Sequence, residues 1–364
     1  MARHLYVHLP FCSSRCGYCA FVVEVGRLDE RDRYLDALLD ELALRAPDLD
    51  SLESVYVGGG TPTLMGADRM ERLLGALRPM MAPGAEVTTE ANPETIDEAL
   101  AERLVAAGVT RMSIGVQSFQ PDLLSALDRE AGPDTCRRAV RVARAAGVAS
   151  VSVDLIFGIP GQSLEDVERD IAEVLALGPD HVSWYELELK PGSALTERGD
   201  VVLDDEASAD AYERIVAGLR AAGYGWYELA NFARPGHECR HNLGYWHGAD
   251  YVGIGVGAVG TIQGVRRRNR AGLTAYIDAL AGGALPPVGT EIIDSDTRRR
   301  ERWMLGLRLA EPFDIALAGP PDHPEALARL TEIGLAEVDG AMLSLTERGR
   351  FLQNGVVGTL MDFA

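Results

Sequence analysis

Over its first two thirds this 364-residue chain alternates short apolar runs with amphipathic stretches, and that alternation leaves few folds open. Six runs read as strands, at 5–9, 54–57, 86–91, 111–116, 151–156 and 181–186. Helices are expected between and after them, over 30–45, 68–81, 94–107, 134–146 and 164–177. The first of these carries Leu35, Leu38, Leu39 and Leu42 at helical spacing beside Asp36, Asp40 and Glu41. Gly108, Gly147 and Gly178 follow three of the helices and read as C-caps, because glycine enters the left-handed conformation without a steric cost. Repeated strand–helix units bury a parallel sheet beneath their helices. Six such repeats specify an α/β fold built on a partial (β/α)6 TIM-like barrel, with its polar groups gathered at the carboxyl ends of the strands.

Past Gly223 the periodicity lapses. Residues 225–290 mix aromatics, glycines and arginines and read as loops and a linker with isolated elements. From about Ser295 a helix resumes, and 323–361 reads as helix, hairpin through Asp339-Gly340, and helix, a small winged-helix-like module. The expected divisions are therefore 1–234, 235–290 and 291–364. Between 320 and 364 Arg329, Arg348 and Arg350 face seven acidic residues, which favours packing over DNA binding for the module. The whole chain has 55 acidic and 35 basic side chains, a formal charge of −20. A surface that negative repels phosphate backbones and anionic lipid, so neither nucleic acid nor a membrane is an expected partner. No run approaches the length of a membrane span, and Met1–Pro10 is too polar for a secretory core. The cysteines are Cys12, Cys16, Cys19, Cys136 and Cys239, three crowded and two isolated, which is no disulfide framework and points to the cytoplasm.

The crowded three carry chemistry. In Cys12-Ser-Ser-Arg-Cys16-Gly-Tyr-Cys19, on a loop just past the first strand, three thiolates can ligate three irons of a 4Fe–4S cluster and leave the fourth iron open. A zinc knuckle would need a fourth ligand, for which His8 is the candidate, and three inert buried thiols are the remaining alternative. After the second strand comes Gly58-Gly59-Gly60-Thr61-Pro62-Thr63, whose glycines let backbone approach a ligand or simply make a tight turn. Glu90, Gln117 and Asp154 stand at or just past the ends of strands three to five, and Arg129 follows strand four. An Arg129–Asp154 salt bridge is the alternative to a ligand role for that pair.

The three-cysteine motif with Tyr18 before its last member resembles the radical S-adenosylmethionine superfamily, over roughly residues 4–235. The resemblance implies a cluster whose open iron is chelated by S-adenosylmethionine. Tyr6-Val-His-Leu-Pro-Phe-Cys12, the GGGTPT run, Gly115-Val-Gln-Ser-Phe119, Asp154-Leu-Ile-Phe-Gly-Ile-Pro-Gly-Gln162 and the C-terminal module are similar to oxygen-independent coproporphyrinogen III oxidases and to the HemW-type haem chaperones. It implies S-adenosylmethionine contacts from Tyr6, Tyr18, Gly59, Gly60, Thr61, Glu90, Gln117, Arg129 and Asp154. Three features favour the chaperones over the decarboxylating oxidases, which remain the alternative. Phe21 stands where the oxidases carry a further cysteine, the first strand opens almost at once, and His241-Asn-Leu-Gly-Tyr245-Trp246 matches the chaperones' HNxxYW. That kinship implies haem or another tetrapyrrole as ligand, haem-accepting proteins and an electron donor as partners, and His241 as axial ligand, with Cys239 as the alternative. Arg266–Arg268 and Arg270 form a basic run, either solvated or paired with propionates, and Cys136 reads as a core residue.

Overall fold

The computed structural model describes residues 1–270 and 272–362. All six expected strands form: β1 (Ala2–Leu9), β2 (Leu49–Gly59), β3 (Met81–Ala91), β4 (Arg111–Gln117), β5 (Ser150–Phe157) and β6 (His181–Glu186). They pair in that order, each parallel to the next. The chain returns through α1 (Arg31–Arg45), α2 (Ala67–Leu77), α3 (Glu98–Ala107), α4 (Pro133–Ala145) and α5 (Leu164–Leu177), and leaves β6 through α6 (Asp205–Ala221). Gly108 and Gly178 cap their helices in the left-handed conformation, and Gly147 has positive φ one residue beyond the α4 cap. Leu35, Leu38 and Leu42 of α1 and Leu73, Leu74 and Leu77 of α2 are buried against the sheet. At about 25 cal/mol per Å² of apolar surface removed from water, such faces supply the main stabilisation of the barrel.

Residues 225–292 differ from the expectation of a linker. They lengthen the same sheet at both ends. Beyond β6 lie β8 (Asn231–Ala233) and β7 (Gly225–Glu228), both antiparallel. On the far side of β1 lies β9 (Tyr251–Ile254), parallel to it, and then β10 (Val259–Ile262), β11 (Val265–Asn269) and β12 (Val288–Ile292). The result is a twelve-stranded sheet with two free ends, an open barrel. Between the added strands lie α7 (Arg240–Trp246) and α8 (Leu273–Ala281). The added strands span only three to five residues and are glycine-rich, so they lack a readable alternation. Their glycines serve close approach: a Cβ on Gly253 would stand 2.0 Å from the Val259 carbonyl oxygen.

Glu41 fastens this extension to the core. The α1 carboxylate is fully buried and accepts from Gly255 N (2.8 Å), Asn269 Nδ2 (2.7 Å) and Tyr276 Oη (2.6 Å). Counted among the polar neighbours of the apolar stripe in the sequence, it lies inside the fold. Arg266 within β11 is paired with Glu291 at 3.2 Å and Glu301 at 2.8 Å, so its guanidinium serves the sheet rather than a propionate.

The C-terminal module forms as expected. Helices α9 (Ser295–Gly306), α10 (Pro324–Glu332) and α11 (Gln353–Leu360) surround a three-stranded sheet, and Gly340 turns its hairpin with positive φ. Trp303, Leu330, Leu343 and Leu360 form its core. The module docks on the barrel through Arg350, whose guanidinium carbon lies 3.6 Å from the centre of the Trp226 ring. Burial pulls the Arg350 pKa down to about 10, and the aromatic face offsets part of that cost. Leu309 pairs with Glu228, which covers the outer edge of β7.

Candidate functional site

The three crowded cysteines stand at the carboxyl end of β1, on a loop closed by short parallel pairing of Phe11–Cys12 with Glu24–Val25. Gly17 N donates to the Leu127 carbonyl at 3.1 Å, and Leu195 N donates to the Gly17 carbonyl at 2.9 Å. A Cβ on Gly17 would lie 2.5 Å from Asp128 Oδ2, so the Asp128 carboxylate would have to move aside for any other residue. Cys12, Cys16 and Cys19 are free of disulfides and half-buried. Burial raises the pKa of the Cys12 and Cys19 thiols, and the Thr61 hydroxyl 3.6 Å from Cys12 Sγ works against this. Among the described residues no three His, Cys, Asp or Glu side chains close into a metal site, so the cysteines are candidates by their shared loop. His8 does not complete a zinc set. Its Nε2 donates to the Val22 carbonyl at 2.8 Å, which leaves Nδ1 to accept from Tyr6 Oη at 3.0 Å.

The glycine run lies directly against this loop. Gly60 N donates to the Leu9 carbonyl and Thr61 N to the Phe11 carbonyl, both at 2.8 Å. A Cβ on Gly60 would sit 2.7 Å from the Pro10 and Phe11 carbonyl oxygens, and Gly59 has φ +115°. Gly59 N and Tyr56 Oη both donate to the Glu90 carboxylate at 2.9 Å. Burial nevertheless raises the Glu90 pKa to about 7, helped by the charge of Asp154. Asn92 ties the set together: its Nδ2 donates to Thr61 Oγ1 at 3.1 Å, and its Oδ1 accepts from Arg129 Nη2 at 3.2 Å. Arg129 also donates to Cys16 Sγ at 3.3 Å and to the Gly115 carbonyl at 2.7 Å. The Arg129–Asp154 salt bridge is not formed. Arg129 Nε is buried with no partner, a donor free for an anionic group.

Further inside the barrel, Ser113 Oγ donates to both oxygens of Asp154 at 2.8 Å, and Ser152 Oγ lies 3.2 Å away. Burial raises the pKa of this carboxyl despite the serines. Gln117 holds φ +70°, a strained conformation for a side-chain-bearing residue at a strand end. Its amide nitrogen fills the space where a Cβ on Gly115 would stand. Tyr6 stacks on Tyr56 with ring centres 6.2 Å apart. Tyr18 packs beside the apolar cluster of Leu127, Ile159 and Leu195, and its phenol stands next to Cys16, Cys19 and Arg129, with burial raising its pKa. Tyr56 and Asn92 were missed by the sequence reading. The signals were there, since Tyr56 shares the period-two face of β2 with Gly58, and Asn92 directly follows a strand end.

His241 lies elsewhere. It sits on α7 against the amino ends of the strands, where His4 pairs with Ser54 in register. From His4 to the end of β1 at Leu9 is about 16 Å at about 3.3 Å per residue. The imidazole is 1% exposed, with Nδ1 2.9 Å from Ser54 Oγ and Nε2 2.9 Å from Tyr245 Oη. Both ring nitrogens are engaged, and burial lowers its pKa to about 3. Cys239 is equally enclosed, its Sγ 3.6 Å from Glu86 Oε1 and its pKa pushed up to about 12 by burial. Neither presents a free donor to iron in this fold. Cys136 is buried within α4 with a pKa pushed up to about 12 by burial.

The radical SAM superfamily model matches residues 6–174, the stretch that holds the three loop cysteines, the glycine run, Glu90, Gln117, Arg129 and Asp154. Heme chaperone HemW of Mycobacterium tuberculosis is 42% identical over 98% of this chain and 94% of its own length. Heme chaperone HemW of Bacillus subtilis is 33% identical over 99% of each. Among solved structures, coproporphyrinogen III oxidase (HemN) from Escherichia coli, a radical SAM enzyme, superposes with a TM-score of 0.86 at 25% identity, covering 100% of this chain and 91% of the other. Among the described residues no helix is long and apolar enough to cross a membrane. Fold, mouth and end-to-end kinship agree, and the chain belongs to the HemW family within the radical SAM superfamily.

Proposed function

We propose that this chain binds haem and passes it to haem-requiring proteins in the cytoplasm, holding a 4Fe–4S cluster and S-adenosylmethionine at the barrel mouth. The single observation that carries the reading is end-to-end kinship with proteins named haem chaperones. The oxidase reading is not favoured, and Phe21, an exposed apolar side chain, occupies the position of the oxidases' extra cysteine.

The residues at the mouth suit the cofactors. Cys12, Cys16 and Cys19 would hold three irons of the cluster, which supplies an electron to the sulfonium of S-adenosylmethionine when both are bound. Glu90, once ionised, would attract the methionyl ammonium beside the Gly59–Gly60 backbone, and the unpartnered Nε of Arg129 would offer its donor to the carboxylate. The Arg129 guanidinium on Cys16 Sγ places positive charge beside a cluster thiolate. Asp154, Tyr6 and Gln117 would line the interior beside that ligand. Cluster reduction calls for an electron donor among the partners.

Anaerobic incubation of the reconstituted protein with coproporphyrinogen III, S-adenosylmethionine and a reductant tests the choice. The expected result is no decarboxylation by a preparation that takes up haem saturably. Protoporphyrinogen formed at catalytic rates would overturn the reading.

A further inference from the structure

Glu90 can attract an ammonium group only as a carboxylate ion, yet its surroundings favour the neutral acid. Burial and the like charge of Asp154 on β5 hold its pKa at about 7, so about half the molecules would carry it neutral at pH 7. Two donors reach its oxygens: Gly59 N donates to Oε2 and Tyr56 Oη to Oε1, both at 2.9 Å. The first belongs to the backbone. Tyr56 is the one side chain among the described residues that donates to Glu90. Tyr6, the neighbouring phenol on β1, turns its hydroxyl to His8 Nδ1 at 3.0 Å instead.

The ring of Tyr56 aims that hydroxyl. Ser54, Tyr56 and Gly58 share one face of β2, while Val55 and Val57 between them point the other way into the apolar core. The ring packs against two others: Tyr6, stacked with centres 6.2 Å apart at 26°, and His241 of α7, 5.2 Å away at 33°. Gly58 leaves room for the pair, since a Cβ there would stand 2.9 Å from the Glu90 carboxylate carbon and 3.0 Å from Tyr56 Cε1. Burial, helped by the charge of Glu90, pushes the Tyr56 pKa well above its ordinary value. The phenol therefore keeps its proton and stays a donor whenever Glu90 titrates.

Resting on the reading that Glu90 takes the methionyl ammonium of S-adenosylmethionine, we infer that Tyr56 is the positioning residue that holds this carboxylate ready for it. The Tyr56 hydroxyl keeps Glu90 turned to the Gly59 backbone and favours its ionised form, because a hydrogen bond to the charged state stabilises that state. Tyr56 acts on the cofactor through Glu90. Because the same ring packs on His241, the amine-binding carboxylate at the mouth is braced by a helix at the amino ends of the strands.

Equilibrium dialysis of S-adenosylmethionine against the anaerobically reconstituted full chain, between about pH 6.5 and 9, tests the role with Tyr56→Phe. That substitution keeps the ring and removes the hydroxyl. The ratio of dissociation constants, variant to unaltered, cancels the titration of the ligand's own ammonium. Losing one donor raises the pKa of a carboxylate by about one unit. The ratio is then expected to be about fivefold at pH 7 and to approach one by about pH 9. In the Glu90→Gln background the same substitution is expected to give a ratio independent of pH, and a ratio that still rises as pH falls would overturn the role. A ratio of one throughout, with the unaltered chain losing affinity as pH drops through about 7, would overturn the role and leave the Glu90 reading standing. A loss equal at every pH would mark a merely structural role and overturn it likewise. No saturable binding by the unaltered chain, or an affinity that does not fall through about pH 7, would overturn the Glu90 reading itself, and this role with it.

Discussion

Truncating His241 to alanine separates a packing role from a haem role for the HNxxYW segment. The substitution removes a buried ring and strips Ser54 Oγ and Tyr245 Oη of a partner each. Two neutral hydrogen bonds contribute about 1 kcal/mol each, and a large-to-small change at a buried position adds about 2 kcal/mol or more. The expected destabilisation is about 4 kcal/mol, a large part of the roughly 5–15 kcal/mol of a typical domain. It also has a pH signature. Burial lowers the His241 pKa from 6.5 to about 3, so between those values the unfolded chain takes up a proton that the folded chain refuses. The stability His241 contributes is complete above pH 6.5 and is lost as pH falls towards 3. Urea melts at pH 7 should show the full deficit of His241→Ala, and melts near pH 4 a narrower one. Haem affinity, measured on the folded variant, should not change. A variant that melts like the unaltered chain but has lost haem would refute this account and return His241 to the ligand role.

Three further outcomes follow from the same geometry. Glu41→Ala should cost about 3 kcal/mol, because three buried donors lose their acceptor, and it should expose residues 250–290 to limited proteolysis; Glu41→Gln should cost less, and equal protease resistance in Glu41→Ala would contradict the tie. S-adenosylmethionine affinity, read by equilibrium dialysis, should fall as pH drops through about 7, where Glu90 becomes neutral, and Glu90→Gln should flatten that profile; a pH-independent affinity in the unaltered chain removes Glu90 from the amine site. Anaerobically reconstituted protein should hold about four irons with a thiolate-to-iron absorption band, and Cys16→Ser should abolish both, whereas native zinc bound by sulfur would defeat the cluster assignment.

Much of the fold is legible in the sequence because the barrel is repetitive. Each central strand is long enough to show an apolar run, and each helix shows a stripe, so β1 to β6 and their returning helices emerge from period alone. The extension across 225–292 is not legible, for two physical reasons. Its strands are short and partly exposed, and its glycines answer to tertiary contacts such as Gly253 against Val259, which sequence cannot distinguish from loop glycines. Glu41 fails for a related reason: a buried carboxylate is indistinguishable from a surface one until its donors on distant segments are in place. At the mouth, motif spacing marks the cysteines and the glycine run, while position at or after a strand end together with the family resemblance marks Glu90 and Arg129. Environment decides the others. His241 and Cys239 lie beneath the strands' amino ends, because a motif gives residue types without giving the side of the barrel they face.

The most direct test of the haem-transfer reading is hand-over. Full-length protein is reconstituted anaerobically, loaded with one equivalent of haem, and mixed with an apo haem protein whose holo spectrum is distinct, with S-adenosylmethionine and reductant present or absent. The account predicts that the acceptor's holo spectrum grows at the expense of the donor's, faster than uptake of the same haem supplied on a non-specific carrier. No saturable loading, or transfer no faster than from that carrier, would contradict it.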